Sequence, residues 1–262
     1  MKIAIIGFGE AGHMFGQHLS QHADVHAYDL IQSDKMKSKA IAAGVTFQDT
    51  LSELIAGAEL VLSLVTADQA SAAARQAAVY LQPSQYYLEM NSVAPVTKQD
   101  SAKLCPVLVD IAIMAPVYPL KAAVPLLLSH ADGDEVSKTL LDLGLNVRCV
   151  GTQIGRAAAI KMCRSVMIKG MEALTLECFQ TAAFYGVEDE IKSSLHGSFP
   201  GMGWEQDRVD YWFERVGTHG VRRAEEMREV AKTVKAANVK SEMSKTVADT
   251  FDIFMNKQDE NV

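Results

Sequence analysis

The amino-terminal segment carries a glycine pattern, Gly7-Phe8-Gly9-Glu10-Ala11-Gly12, directly after a short apolar run. This spacing forms a phosphate-binding turn when a strand precedes it and a helix follows it, as the local pattern indicates here. The first glycine permits the tight bend, the second lets a pyrophosphate approach the backbone, and the third lets the helix pack on the strand. The residues from Gly7 to Gly12 are therefore predicted to bind a dinucleotide.

A single carboxylate, Asp29, follows the second apolar run and lies 17 residues after Gly12. An acid near this position accepts hydrogen bonds from the hydroxyls of the adenosine ribose. Its charge also repels a 2′-phosphate, and no arginine follows within Leu30–Asp34, although Lys35 is near. The sequence therefore favours NAD, with NADP as the lesser candidate; the alternative is a solvated carboxylate with no part in the choice.

A lysine, Lys161, lies near the start of a long apolar helical pattern, after Gly151 and Gly155. At helical spacing, Lys161 shares a face with Ser165 and Lys169. Such a lysine can exchange a proton with a substrate oxygen while a hydride moves at carbon. A lysine on an interface helix, with its stem packed and its ammonium in solvent, has the same spacing. The pattern alone leaves both interpretations open.

The chain resembles the β-hydroxyacid dehydrogenase superfamily, which includes 3-hydroxyisobutyrate and 6-phosphogluconate dehydrogenases. The resemblance covers nearly the whole chain, and it rests on four stretches: Gly7–Gly12, Asn91-Ser92-Val93-Ala94-Pro95, Ala115-Pro116-Val117, and Gly155 followed by Lys161. Family enzymes place a catalytic lysine six residues after that glycine, as this sequence does. The resemblance therefore implies that Lys161 is a general acid/base and that Asn91 and Ser92 lie near the nicotinamide.

Three departures limit what the resemblance implies. The family's asparagine four residues after the lysine is Ser165 here, and its carboxylate-binding Ser-Gly-Gly is replaced by Tyr118-Pro119-Leu120. The stretch Gly217–Met227 resembles instead a branch with a DUF1932-type C-terminal domain. The superfamily can be carried over to this chain, and its usual substrate cannot. Tyr118 and Ser165 stay candidates for substrate binding, with Ser165 a candidate for orienting the reaction as well.

Ser92 follows the fourth predicted strand, at the carboxyl edge where open α/β sheets bind ligands. It could therefore bind the substrate or the nicotinamide and act beside Lys161; a turn or a helix cap before Pro95 is the alternative. By the same geometry, Thr66 and Ala67, after the third strand, are predicted to pass near the nicotinamide ribose.

Three basic residues, His219, Arg222 and Arg223, are predicted near the start of a helix in the last third of the chain. Because arginines bind carboxylates and phosphates in a bidentate manner, we expect this group to recognise an anionic substrate. A solvated face paired with Glu225 and Glu226 is the alternative. The two histidines His18 and His22 lack a third ligand, so no metal site is predicted.

Short apolar runs alternate with helical patterns through the first part of the chain, which predicts a mostly parallel sheet covered on both faces. The predicted strands are Ile3–Ile6, Val25–Tyr28, Leu60–Leu64, Tyr86–Met90, Val107–Ile113, Leu126–Ser129 and Asn146–Val150. The fold class is therefore α/β: a Rossmann dinucleotide-binding domain over residues 1–151 followed by an all-helical domain over residues 152–262.

The second domain is predicted to open with a long helix, Ala157–Phe184, which has too many apolar positions for one exposed stripe. We therefore expect this helix to be buried between domains or subunits, and the protein to form a homodimer. Further helices are predicted near Trp204–Val216, His219–Ala237 and Lys240–Asn256.

The composition excludes several classes of protein. A net charge of −7 argues against a nucleic-acid surface, and no apolar run is long enough to span a membrane. The four cysteines lack metal spacing and are typical of reduced thiols, so a cytoplasmic location is expected.

The function expected from these observations is hydride transfer between nicotinamide and a small hydroxy acid or its keto partner, with the substrate bound between the domains. A reductase of an imine or opine-like C=N bond is the second hypothesis. A non-catalytic NAD(P)-binding protein is the third, and Lys161 argues against it because a pure binder needs no lysine there.

Overall fold

The computed structural model describes the backbone of residues 1–259, with all their side chains except those of residues 118, 119 and 257–259. The chain divides into a first compact unit, Met1–Met162, and a second that begins at Cys163. The sequence-based boundary at Gly151 lies earlier than this division, because a helix that begins at Arg156 continues through it.

The first unit is built on one eight-stranded sheet with the order β3-β2-β1-β4-β5-β6-β7-β8. Every pair of neighbours is parallel except β6 and β7, which confirms the predicted mostly parallel sheet. The strands are β1 (Lys2–Ile6), β2 (Asp24–Tyr28), β3 (Thr46–Phe47), β4 (Leu60–Ser63), β5 (Tyr86–Glu89), β6 (Leu108–Ile113), β7 (Leu126–Ser129) and β8 (Val147–Gly151). The short β3 escaped prediction because two residues carry no periodicity.

Helices cover both faces of this sheet. They are α1 (Glu10–Leu19), α2 (Asp34–Ala42), α3 (Leu51–Ile55), α4 (Ala70–Ala78), α5 (Pro95–Leu104), α6 (Val117–Leu120) and α7 (Gly133–Asp142). Successive strand residues point to opposite faces, so Leu88 joins the core that contains Phe15 and Tyr87 joins the core that contains Ile55. Helix α5 was not predicted, because its buried residues, Lys98 and Ser101, are polar.

The order of the strands reverses between β1 and β4, which are hydrogen-bonded neighbours. In open parallel sheets, such a reversal leaves a crevice at the carboxyl ends of the strands, and ligands bind there. The loop that follows β1 and the turn that follows β4 both leave the sheet at this edge. The fold therefore brings the glycine pattern to the place where a dinucleotide would lie.

The second unit is helical. Helix α8 (Arg156–Tyr185) is followed by α9 (Glu188–Ser198), α10 (Arg208–Ala236) and α11 (Glu242–Asp259). Aromatic side chains form part of its core, with Phe179 packed among Trp204 and Trp212. Within residues 1–259, no helix is long and apolar enough to span a membrane.

A helix boundary predicted in this unit is wrong: the two helices expected at Trp204–Val216 and His219–Ala237 are the single helix α10. A glycine inside a helix costs only about 1 kcal/mol relative to alanine, which packing can offset. At Gly220 a Cβ would lie 2.5 Å from Cγ of Met255 on α11. This glycine therefore lets α11 approach α10 closely and does not break the helix.

Candidate active site

The loop after β1 has the geometry that a pyrophosphate requires. Gly7 has φ +91°, and a Cβ there would lie 2.5 Å from the backbone oxygen of Leu64. A Cβ at Gly12 would lie 2.0 Å from the oxygen of Gly7, whereas a Cβ at Gly9 would meet no heavy atom within 4 Å. A side chain would therefore collide with the backbone at Gly7 and Gly12, whereas the space next to Gly9 is open. The residues of the loop thus fit a dinucleotide phosphate, which would face the N–H groups at the start of α1.

Asp29, at the end of β2, is hydrogen-bonded to this loop. Its Oδ2 accepts a hydrogen bond from the Phe8 N–H at 2.7 Å, and its Oδ1 accepts one from the Ile31 N–H at 2.9 Å. An ionised carboxylate offers about four acceptor sites, so Asp29 keeps capacity for ribose hydroxyls. The structure gives this residue a bracing role that its position in the sequence did not reveal.

Two basic side chains, Lys39 and His13, lie near the glycine loop, and neither of them was predicted from the sequence. Lys39 on α2 donates a hydrogen bond from Nζ to the Gly9 oxygen at 3.2 Å. Burial lowers the pKa of His13 on α1, and the charge of Lys39 lowers it further. The spacing in the sequence gives no signal for these two residues, because β2 separates α1 from α2 along the chain and only the folded packing of the two helices brings them together.

The turn after β4 leaves the sheet at the same edge. Thr66 precedes a single 3₁₀ turn, Ala67–Gln69. Hydrogen bonds from the side chains of Thr66 and Gln69 lower the pKa of Asp68. Thr66 is exposed and Ala67 is half-buried, so both lie at the surface of the carboxyl edge where the nicotinamide ribose is predicted.

The structure brings Lys161 and Ser92 together. Nζ of Lys161, in the first part of α8, donates to Oγ of Ser92, after β5, at 2.5 Å. Both side chains are partly buried. A lysine amine in contact with a hydroxyl can hand a proton to, or take one from, a third polar atom placed against both. The arrangement therefore supplies a proton donor and acceptor beside the carboxyl edge of the sheet.

Asn91, the neighbour of Ser92, is buried and held by two strands. Its Nδ2 donates to Oγ of Ser63 on β4 at 3.0 Å and to Oε1 of Glu89 on β5. Its backbone N–H donates to the same Glu89 oxygen at 3.1 Å. The backbone next to Ser92 is therefore fixed to the sheet.

Three charged side chains form a buried ion cluster, composed of Lys98, Glu89 and Asp110. Nζ of Lys98 lies 2.9 Å from Oε2 of Glu89 and 2.8 Å from Oδ1 of Asp110, and none of the three residues is more than 1% exposed. Burial by itself would lower the pKa of Lys98, but Asp110 and Glu89 outweigh it, so that this pKa lies above its ordinary value. Burial also raises the pKa of Glu89.

The second oxygen of Asp110 caps the helix that carries Lys161. Oδ2 accepts hydrogen bonds from the N–H groups of Gly155 at 2.9 Å, Ala157 at 3.0 Å and Ala158 at 3.2 Å. Ser129 donates its hydroxyl to the same oxygen at 2.9 Å. Sequence reasoning missed Asp110 and Lys98. A lone carboxylate inside the apolar run Val107–Ile113 was the signal that could have found Asp110.

Comparisons with known proteins agree with this architecture. Residues 2–115 match the sequence model of the NAD binding domain of 6-phosphogluconate dehydrogenase. Residues 182–253 match a domain of unknown function, DUF1932. A conserved hypothetical protein from Sinorhizobium meliloti, of known structure, is 37% identical, with 96% of this chain and 87% of that chain covered and a TM-score of 0.76.

The chain belongs to the β-hydroxyacid dehydrogenase superfamily, in its DUF1932 branch.

Two further solved structures are similar to this chain. One is a conserved protein of unknown function described as structurally similar to 3-hydroxyacid dehydrogenases; it is 27% identical over the whole of both chains, with a TM-score of 0.76. The other is a 3-hydroxyisobutyrate dehydrogenase from Mycobacterium tuberculosis with L-serine, at 15% identity, with 97% of this chain and 93% of that chain covered and a TM-score of 0.77. The second likeness shows the shared fold. As a superfamily member with this amino-terminal domain, the chain is an NAD(P)-dependent oxidoreductase in the general sense.

The three basic residues predicted to bind an anionic substrate, His219, Arg222 and Arg223, lie in the middle of α10. Their predicted place near the start of a helix is therefore wrong. Arg223 is buried and forms an ion pair with Glu172, which is also buried. Arg222 is half-exposed and lies 3.9 Å from Glu226, which also pairs with Lys169 at 2.7 Å. His219 lies on the same helix and is half-buried.

Two further candidates for substrate binding are Ser165 and Tyr118. Ser165 is buried one helical turn beyond Lys161 on α8. The side chain of Tyr118 lies outside the described residues. The part of these residues, and of His219, Arg222 and Arg223, in binding a substrate stays a prediction.

Proposed function

We propose that this protein transfers a hydride between nicotinamide and a small hydroxy acid or its keto partner, with Lys161 as the general acid/base. The observation that carries the proposal is the 2.5 Å contact between Nζ of Lys161 and Oγ of Ser92. It puts a proton-transferring side chain in the unit that carries the dinucleotide loop. A bound nicotinamide supplies or accepts the hydride.

Lys161 and Ser92 have different roles at the substrate oxygen: the lysine transfers the proton, and the serine orients the lysine. In oxidation, the neutral amine of Lys161 takes the hydroxyl proton while the hydride leaves carbon and the C–O bond becomes C=O. In reduction, the ammonium of Lys161 returns that proton. Ser92 fixes the direction of Nζ and can donate to the same oxygen. Proton transfer of this kind contributes about 10²–10⁴-fold to a rate.

NAD is the proposed cofactor, with NADP less favoured. The support is Asp29, whose carboxylate is held at the loop by the N–H groups of Phe8 and Ile31. A fixed negative charge next to the adenosine ribose opposes a 2′-phosphate and accepts from a free hydroxyl.

A reductase of a C=N bond is the second candidate function. Tyr118-Pro119-Leu120 takes the place of the family's Ser-Gly-Gly, and proline has no N–H to offer a carboxylate. A substrate without a carboxylate would not need the missing donors. The same Lys161–Ser92 pair can donate a proton to the amine nitrogen that forms when an imine is reduced.

A substrate screen tests the proposal and separates the candidates. The purified protein is incubated with NADH or NADPH and with panels of keto acids and cyclic imines, and nucleotide oxidation is followed by absorbance. We expect turnover of a keto acid with NADH, abolished in Lys161→Met and retained in Lys37→Met, a partly exposed lysine in the same unit that pairs with Asp49. Turnover of imines alone would favour the second candidate. Tight NADH binding with no turnover on either panel would favour a non-catalytic role.

We also propose a homodimer formed through α8. Leu174, Phe184 and Tyr185 on this helix are 59%, 82% and 71% exposed. A row of large apolar side chains in water indicates a surface that another protein covers, and a second copy of the chain is the proposed occupant. Light scattering at micromolar concentration should give twice the monomer mass, and Phe184→Asp should reduce it; a monomeric wild-type protein would contradict the proposal.

A further inference from the structure

The buried ion cluster of Lys98, Glu89 and Asp110 lies between the two sequence segments that form the Lys161–Ser92 pair. One segment is the loop after β5, and the other is the start of α8. The cluster contacts both segments by direct hydrogen bonds, and neither Lys161 nor Ser92 is part of it.

On the Ser92 side, the cluster fixes the backbone both before and after the serine. Oε1 of Glu89 accepts from the backbone and the side chain of Asn91. Lys98 lies on α5, the helix that begins at Pro95, and donates from Nζ to the backbone oxygens of Glu89 at 2.8 Å and Ile111 at 2.6 Å. The loop that carries Ser92 is therefore anchored at its two ends by one ammonium and one carboxylate.

On the Lys161 side, the cluster fixes the start of the helix. Oδ2 of Asp110 accepts three N–H groups from the segment Gly155–Ala158. A carboxylate at this position also meets the positive end of the helix dipole. Lys161 lies one turn further along α8, so a shift of this first turn moves Nζ relative to Ser92.

A buried ion cluster contributes less to the free energy of folding than its number of contacts suggests. Burying two carboxylates and one ammonium carries a large desolvation cost, and apolar residues of similar volume are often as stable or more stable. What the cluster supplies is directional: its hydrogen bonds to the backbone of Asn91, Ile111 and the start of α8 fix these segments at defined distances. Apolar packing between the same segments would hold them less specifically.

We propose that Asp110 and Lys98 are positioning residues that fix Nζ of Lys161 against Oγ of Ser92 through the helix cap of Asp110 and the loop anchor of Lys98. The proposal rests on the function proposed above, because it assigns these residues to the geometry of that proton-transferring pair. They act through Lys161 and Ser92 and need not touch the substrate.

Three variants test it by kinetics. Asp110→Asn keeps the shape of the side chain and removes its charge, and Ser129→Ala removes the hydrogen bonds that Ser129 donates to Asp110 and accepts from the Ala157 N–H while keeping every charge. Gln85→Met is the matched control, because Gln85 is buried at the amino end of β5 and binds the oxygens of Ile55 and Ala58. A misplacement of about 1 Å can cost about 10²-fold in rate. We expect kcat to fall by about that factor in Asp110→Asn and by less in Ser129→Ala, with KM and the Kd for NADH unchanged.

The control variant Gln85→Met distinguishes a loss of positioning from a general loss of stability. Gln85→Met should lower Tm and keep the wild-type kcat. An equal loss of kcat in Gln85→Met would overturn the proposal, since general destabilisation would then explain the effect. Wild-type kcat in both Asp110→Asn and Ser129→Ala would overturn it as well. If Asp110→Asn does not fold, the result with Ser129→Ala against the same control decides alone.

A second readout needs no substrate and so separates this inference from the proposed function. A crystal structure of Asp110→Asn, or of Ser129→Ala, should show Nζ of Lys161 beyond hydrogen-bonding distance, about 3.5 Å, from Oγ of Ser92. An unchanged contact in that crystal structure would overturn the positioning role even if the enzyme is active. An opened contact in a protein that turns over nothing would support the positioning role while the proposed reaction fails.

Discussion

Nζ of Lys161 lies 2.5 Å from Oγ of Ser92, although 69 positions of sequence separate the two residues. One belongs to a helix and the other to the loop that follows a central strand. The buried ion cluster of Lys98, Glu89 and Asp110 contacts both segments. Two motifs that are independent in the sequence are therefore one site in the fold.

Removal of the Ser92 hydroxyl should slow the reaction without unfolding the protein. In Ser92→Ala, Lys161 loses a contact that orients Nζ, and we expect kcat to fall about 10–100-fold, which does not exceed the lower end of a full general acid–base contribution. Ser92→Thr keeps a hydroxyl at the same position and should retain more of the rate. Steady-state kinetics of the two variants check this prediction; equal rates in Ser92→Ala and wild type would leave Ser92 with only a turn-forming role.

The glycine loop predicts a weaker affinity for NADH on substitution of Gly9 or Gly12, but a loss of Tm only at Gly12. A methyl group at Gly9 meets no protein atom within 4 Å, so Gly9→Ala should keep the wild-type Tm. It would occupy the space of the pyrophosphate, and the Kd for NADH should rise at least about tenfold, or about 1.4 kcal/mol.

In Gly12→Ala, the new Cβ would lie 2.0 Å from the oxygen of Gly7, so both Tm and NADH affinity should fall. Thermal melting and fluorescence titration with NADH measure the two quantities. Wild-type NADH affinity in Gly9→Ala would mean that the pyrophosphate does not approach this loop.

Loss of the charge on Asp29 should change the cofactor preference. In Asp29→Asn the repulsion of a 2′-phosphate is removed, so the ratio of the Kd for NADPH to that for NADH should fall about tenfold. Asp24→Asn, at the other end of the same strand and exposed to solvent, is the matched control and should leave the ratio unchanged. The same ratio in Asp29→Asn and wild type would assign Asp29 only to bracing the Phe8 and Ile31 backbone.

The pKa of Glu89 predicts a pH dependence of stability. Burial raises this pKa above the ordinary 4.5, Lys98 and the Asn91 N–H oppose the rise, and the charge of Asp110 adds to it. Because the folded state holds the proton more tightly than the unfolded state, this contribution to the free energy of unfolding is complete below pH 4.5 and is lost as the pH rises through the raised pKa.

Glu89→Gln carries no such titration. Urea unfolding midpoints from about pH 4 to about pH 8 should therefore show the variant gaining stability relative to the wild type as the pH rises. Parallel curves for the two proteins would mean that the pKa of Glu89 is not raised in the folded state.

Local signals in the sequence were enough to predict the sheet and the dinucleotide loop. Each predicted strand is an apolar run bounded by turn residues, and the first glycine pattern has its strand and helix beside it. The reversal of strand order between β1 and β4 then places the loop at the ligand edge. The resemblance favoured Lys161 as a general acid/base, a role that stays a prediction, since its spacing alone left an interface lysine open.

Helix α5 and the continuity of helix α10 escaped prediction because tertiary contacts decide them. Helix α5 buries Lys98 in place of apolar residues, so it has no apolar stripe to recognise. Helix α10 continues through Gly217 and Gly220 because α11 packs against the second of these glycines. The ion pairs of Arg223 and Lys169 join residues on different helices, so no spacing within one segment reports them.

Proton transfer by Lys161 is tested by the turnover of Lys161→Met compared with that of Lys37→Met, with NADH affinity measured in both variants. We expect kcat to fall by about 10³-fold or more in Lys161→Met, with wild-type NADH affinity, and neither quantity to change in Lys37→Met. Near-normal turnover in Lys161→Met would show that another group transfers the proton.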